Sequence, residues 1–86
     1  MKLKDSYVIQ EVGEKLIMVG TGQDDFQGMV RLNSSAGTIV KMLQEETDAE
    51  QIISKMTEIY NVDYETLKAD VERTITTLRN INALEE

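Results

Sequence analysis

The stretch GMVRLNSSAG, residues 28–37, decides the architecture of this chain. Met29 to Leu32 reads as a strand, with Val30 and Leu32 on one face and Met29 and Arg31 on the other. Asn33, Ser34 and Ser35 then stop it, and either Asn33 or Ser34 is a good helix N-cap. Behind them Ala36, Ile39, Val40 and Leu43 recur at i, i+3, i+4 and i+7, the spacing of one apolar helix face.

Upstream, Tyr7 to Val12 (YVIQEV) is β-branched and partly alternating, and predicts a strand. Gly13–Glu14 is a tight-turn signal, and Lys15 to Val19 (KLIMV) is a second apolar run, so these two strands form a hairpin. Gly20 to Gln27 is a polar loop rich in turn formers. Downstream, TDAE at Thr47 to Glu50 fits a capping box for a second helix, with Ile52, Ile53, Met56, Ile59 and Tyr60 on one stripe. Asn61 to Asp63 is a break, and Asp63 can cap a third helix. There Leu67, Val71, Ile75 and Leu78 repeat every three or four residues, to about Asn80. Ile81 and Leu84 fold back as a short apolar tail. The order strand, strand, strand, helix, helix, helix predicts one α+β domain over residues 1–86, with helices gathered on one side of a three-stranded antiparallel sheet.

Composition narrows the function. Eighty-six residues suffice for one domain, with a thin core and little room for an enclosed active site. There is no cysteine and no histidine, which removes disulfides, thiolate metal sites and the commonest general base. No signal-peptide h-region and no apolar run of membrane-spanning length is visible; the expectation is a cytoplasmic protein with no membrane partner. The formal net charge of −7 repels phosphate backbones and speaks against nucleic acid.

No catalytic constellation emerges. Asp24–Asp25 are adjacent carboxylates with no third ligand at a recognisable spacing, and read as a solvated loop. Gly20–Thr21–Gly22 lacks the Gly-Lys-Ser/Thr of a phosphate loop. The acidic run Glu45, Glu46, Asp48 and Glu50 lies at a helix start, where the macrodipole favours anions. Ser34 and Ser35 have no base to activate them. What remains are binding surfaces: an open sheet edge, able to pair with an extended peptide, and the outer flank of the third helix, which carries Lys68 and Arg73.

The pattern GMVRLNSSAGTIVKML followed by TDAEQIISKMTEIYNVDYETLKADVERTITTLRNINAL resembles the family of pyrroloquinoline quinone (PQQ) synthesis protein D, whose members are also called RiPP recognition elements. The resemblance spans roughly Tyr7 to Leu84. It rests on the Leu32–Asn33 pair closing a strand, the small residues Ala36–Gly37, Ile39, the Tyr60, Val62, Asp63 break, Asp70–Val71, and the spaced Ile75 and Leu78. Two departures stand out. Val40 occupies a position that is often aromatic in relatives, and Asn82–Ala83–Leu84 stands where many end in a Gly-Leu-Leu-like tail.

The resemblance implies a winged-helix-like fold and a non-catalytic role without a cofactor: binding the leader of a ribosomally made precursor peptide and presenting it to a modifying enzyme, such as a radical SAM maturase. It places the leader as a strand added to Met29, Val30, Arg31 and Leu32, in a groove walled from among Leu67, Lys68, Val71, Thr74 and Ile75, some of which must face the core instead. Arg31 and Lys68 are candidates to pair with acidic leader residues. The protein is expected to be a monomer or a weak homodimer through the open edge. The competing reading is a winged-helix nucleic-acid-binding regulator, opposed by the charge and by Glu65, Asp70 and Glu72 on the third helix.

Overall fold

In the computed structural model, residues 1–23 and 26–86 are described; the pair Asp24–Asp25 lies outside them. The elements run β1 (Lys2–Leu3), β2 (Tyr7–Val12), β3 (Lys15–Thr21), β4 (Gln27–Leu32), α1 (Ser34–Met42), α2 (Ala49–Ile59), α3 (Tyr64–Asn80) and β5 (Leu84–Glu85). Strands β2, β3 and β4 form an antiparallel sheet in that order. The α+β architecture read from the sequence is the one observed. β3 and β4 each extend two residues further into the polar loop than their apolar runs suggested, because the sheet ladder continues through Thr21↔Gln27.

Pairing of Val12 with Lys15 leaves a two-residue hairpin loop at Gly13–Glu14. Gly13 has φ +63° and Glu14 does not share the left-handed region, the pattern of a type II′ turn. One face of the sheet carries Tyr7, Met18, Val30, Leu16 and Leu32 toward the helices, with Met18 fully buried. α1 lies against β3 and β4. Gly37 permits that approach: a Cβ there would meet Leu16 Cδ1 at 2.6 Å.

Each helix is capped by a side chain. Asn33 Oδ1 accepts the Ala36 N–H at 2.8 Å, and Asp63 accepts the Thr66 N–H at 3.1 Å. For α2 the cap is Asp48, accepting from the Gln51 N–H at 2.9 Å, with Gln51 Nε2 returning to its other oxygen at 3.1 Å. This corrects the box expected at Thr47. The cap lies one residue later, because an ionised acceptor is the stronger cap and the Thr47 N–H is engaged by the Met1 carbonyl at 3.0 Å.

α3 packs on both α1 and α2, and Ile39, Val40, Leu43, Ile52, Met56, Val71 and Leu78 complete the core. Ile59, read as part of the α2 stripe, is 57% exposed; it is the last helical residue, and the chain is already turning away. α3 ends in a Schellman motif: Ala83 N–H bonds to Leu78 O at 2.9 Å and Asn82 N–H to Arg79 O at 3.0 Å. Asn82 takes the left-handed position, φ +58°, the C′ site that glycine most often fills in helices generally. The turn delivers Leu84, buried, into a short pairing with Leu3. The two-residue strands β1 and β5 were not anticipated; only the apolar tail was. Tyr7 Oη donates to the Ile81 carbonyl, tying the sheet to the same turn.

Candidate functional site: the β4 edge and the α3 cleft

The site begins with backbone geometry. Gly22 N–H donates to Phe26 O at 2.9 Å, so that opposed pair is a hydrogen-bonded one. Antiparallel pairs alternate, which makes Gly28, Val30 and Leu32 the residues of β4 that bond to β3. The N–H and C=O groups of Gln27, Met29 and Arg31 therefore point outward, along an edge that no other described strand covers. Side chains alternate the other way: Val30 and Leu32 are half-buried, while Met29 is 68% exposed and Arg31 is exposed.

Beside this edge runs a cleft of about 150 Å³. Its sheet wall is Val30, Arg31 and Leu32, its floor Asn33, Ser35 and Ala36, and its far wall the α3 stripe of Asp70, Arg73, Thr74, Thr77 and Leu78. Thr74 Oγ1 donates to Asp70 O at 2.9 Å and Thr77 Oγ1 to Arg73 O at 3.0 Å. Their hydroxyls are satisfied within the helix, and the wall makes little polar demand on what lies against it. Arg73 Nη1 pairs with Asp70 Oδ1 at 3.1 Å across the helix surface, an exposed contact worth under ~1 kcal/mol. Arg31 has no ion-pair partner among the described residues.

The structure sorts the residues named from the sequence. Val30, Arg31, Leu32 and Thr74 border the cleft, and Met29 lies on the opposite face of the same strand. Leu67, Val71 and Ile75 are 2%, 0% and 4% exposed and belong to the core. Lys68 shares its helical stripe with Glu72, Thr76 and Arg79, the last three of which border a separate hollow with Met1 and Ala49; it stands on the flank away from β4. Asp70, Arg73, Thr77 and Leu78 also line the cleft, though the sequence reading did not name them for it. Their signal was present, since Asp70, Arg73 and Thr77 follow one flank of the stripe that ends at Leu78 at helical spacing. Choosing between the two flanks requires knowing which side of α3 the sheet occupies.

No group of carboxylates among the described residues could hold a metal ion, and no helix is long and apolar enough to cross a membrane.

No curated protein sequence matches the chain. Two solved structures share its fold. TbiB1, in complex with the TbiA(beta) leader peptide, superposes with a TM-score of 0.83 at 22% identity, covering 99% of this chain and 95% of that one. A lasso peptide synthetase B1, complexed with its leader peptide, gives 0.78 at 16% identity, covering 99% and 96%. The family model of coenzyme PQQ synthesis protein D (PqqD) matches residues 14–84, from the β2–β3 turn through the buried Leu84. By that match, which takes in the β4 edge, all three helices and the closing turn, the chain belongs to the PqqD family.

Proposed function

We propose that this chain is a non-catalytic accessory protein that binds the leader of a ribosomally synthesised precursor peptide and presents the peptide to a modifying enzyme, a radical SAM maturase being one such partner. The observation that carries the reading is the unpaired β4 edge alongside the α3 cleft. An extended peptide entering there becomes a fourth strand. It bonds to the outward groups of Met29 and Arg31, and alternate side chains drop between Val30, Leu32, Thr74 and Thr77. Family membership, and two structural neighbours complexed with leader peptides, support the same role. A chain without cysteine or histidine and with a net charge of −7 favours neither catalysis nor nucleic-acid binding.

The energetics suit recognition followed by release. Four edge hydrogen bonds at about 1 kcal/mol each are offset by several kcal/mol for ordering a flexible leader. The side chains in the cleft supply the surplus, for a Kd of about 0.1–10 μM. The test is an NMR titration of the labelled protein with the leader encoded beside its gene. Saturable shifts concentrated on Gln27–Leu32 and Asp70–Leu78 are expected; the absence of saturable shifts overturns the reading.

A further inference from the structure

The outer face of the sheet, away from the helices, is covered by no element among the described residues. Its cross-strand rows are Val8–Val19–Met29, Gln10–Ile17–Arg31 and Val12–Lys15. Val8, Val12 and Met29 are 45%, 57% and 68% exposed, and Ile17 and Val19 are half-exposed. Single exposed apolar residues are ordinary, but a contiguous set on one face marks a contact surface. Charge sharpens the picture. Among the described residues no carboxylate lies in these rows, although the protein carries sixteen acidic residues. The charges there are Lys15 and Arg31, neither of them ion-paired among the described residues. At the Val12–Lys15 end of the sheet these rows border a hollow of about 640 Å³ that Leu16, Leu32 and Asn33 of the other face also line.

Resting on the peptide-binding reading above, we infer that this outer face docks the modifying enzyme through an apolar centre ringed by that enzyme's carboxylates. A second copy of this chain is the poorer fit, since it would set Lys15 and Arg31 against themselves. The face is also undersized alone. Three strands about 4.8 Å apart and some six residues long present roughly 300 Å², against the roughly 800 Å² per partner of a stable interface. A leader strand added at β4 widens this same face on the Met29–Arg31 side. The enzyme therefore recognises the loaded complex more tightly than the free protein, and presentation is coupled to loading.

The test uses Val12→Glu with Lys15→Glu, and separately Val8→Glu, all on exposed positions away from the β4 edge. Leader affinity is measured by fluorescence anisotropy with the labelled leader, and enzyme affinity by calorimetry with the purified co-encoded enzyme, with and without leader. The expected result is leader affinity within twofold of wild type, which also reports an intact fold, and enzyme affinity lowered at least tenfold. Unchanged enzyme affinity in variants that keep leader affinity overturns the inference and leaves the peptide reading standing. So does a wild-type dimer in sedimentation that these variants disperse. Failure of the wild type to bind leader overturns the peptide reading and this inference with it.

Discussion

Selective N-methylation of the leader peptide tests strand addition at single-bond resolution. The edge offers outward N–H and C=O groups at Met29 and Arg31, two residues apart. Whether the leader runs parallel or antiparallel, the peptide N–H groups that donate to these carbonyls occur at every second residue. Methylating one of them deletes a bond worth about 1 kcal/mol net and turns a methyl group toward a carbonyl that has lost water, so the cost rises to about 1.5–3 kcal/mol. That is a loss of roughly ten- to a hundredfold in affinity. Methylating the intervening residue, whose N–H faces outward, leaves affinity within about twofold. A scan of six consecutive leader positions by fluorescence anisotropy is thus expected to alternate, with deep losses two residues apart. A flat profile, or losses at neighbouring positions, would refute pairing at this edge, because a peptide lying in the cleft as a helix or turn has no such period.

Other outcomes follow from individual residues. Arg31→Glu is expected to weaken an acidic leader about tenfold at low salt, an effect that 0.5 M salt removes, whereas Lys68→Glu, on the far flank of α3, leaves affinity unchanged in the same titration. Asn82→Gly relieves a left-handed residue and raises stability by a few tenths to ~1 kcal/mol, while Asn82→Val lowers it by ~1–2 kcal/mol; urea denaturation reads both. Gly20→Ala places a Cβ 2.5 Å from Phe26 Cδ2 and 2.7 Å from the Phe26 carbonyl oxygen, and a backbone clash of that kind costs about 1–3 kcal/mol, visible as a lower urea midpoint. The Thr66 hydroxyl and N–H hold the Asp63 carboxyl below the usual carboxylate range. A folded-state pKa below the unfolded one means that the cap's contribution is present above about pH 4 and lost as pH falls through the folded value. Asp63→Ala lowers stability at pH 7, and the gap from wild type narrows below pH 4, as followed by urea midpoints across that range.

The sequence was most legible where a local rule and the tertiary fold agree. The β2–β3 hairpin, the sharp stop at Asn33 and the α3 stripe of Leu67, Val71, Ile75 and Leu78 each satisfy a short-range pattern that packing then reinforces. Legibility failed where the answer depended on distant neighbours. β1 and β5 are two residues each and have no periodicity; they exist because Tyr7 and the Schellman turn bring Leu84 beside Leu3. Thr47 against Asp48 turned on which group Met1 engages. The lining of the cleft was named only in part for the same reason. Spacing identified the buried stripe of α3, but the stripe that faces β4 lies one step around the helix, and only the placement of the sheet selects Asp70, Thr74 and Thr77 over Lys68, Glu72 and Thr76.

How the edge stays open follows from the junction of β4 and α1. A short strand with outward N–H and C=O groups invites pairing with any extended chain, and small proteins usually cover such an edge. Here Asn33 caps α1 immediately after Leu32, so the chain passes behind the sheet rather than alongside it. Gly37 lets α1 close on Leu16, which holds that helix to the inner face. α3 then meets α1 and α2 through its apolar stripe, leaving only its neighbouring flank to look toward β4. The cleft of about 150 Å³ lies between the two. Arg31, without an ion-pair partner among the described residues, places a positive charge on that edge within an acidic molecule. It disfavours pairing that would bring two such edges into register and favours a peptide with a carboxylate beside it. The openness of β4 is thus a consequence of how α1 and α3 are anchored, and substitutions that loosen either anchor would close the edge or blur it before they unfolded the protein.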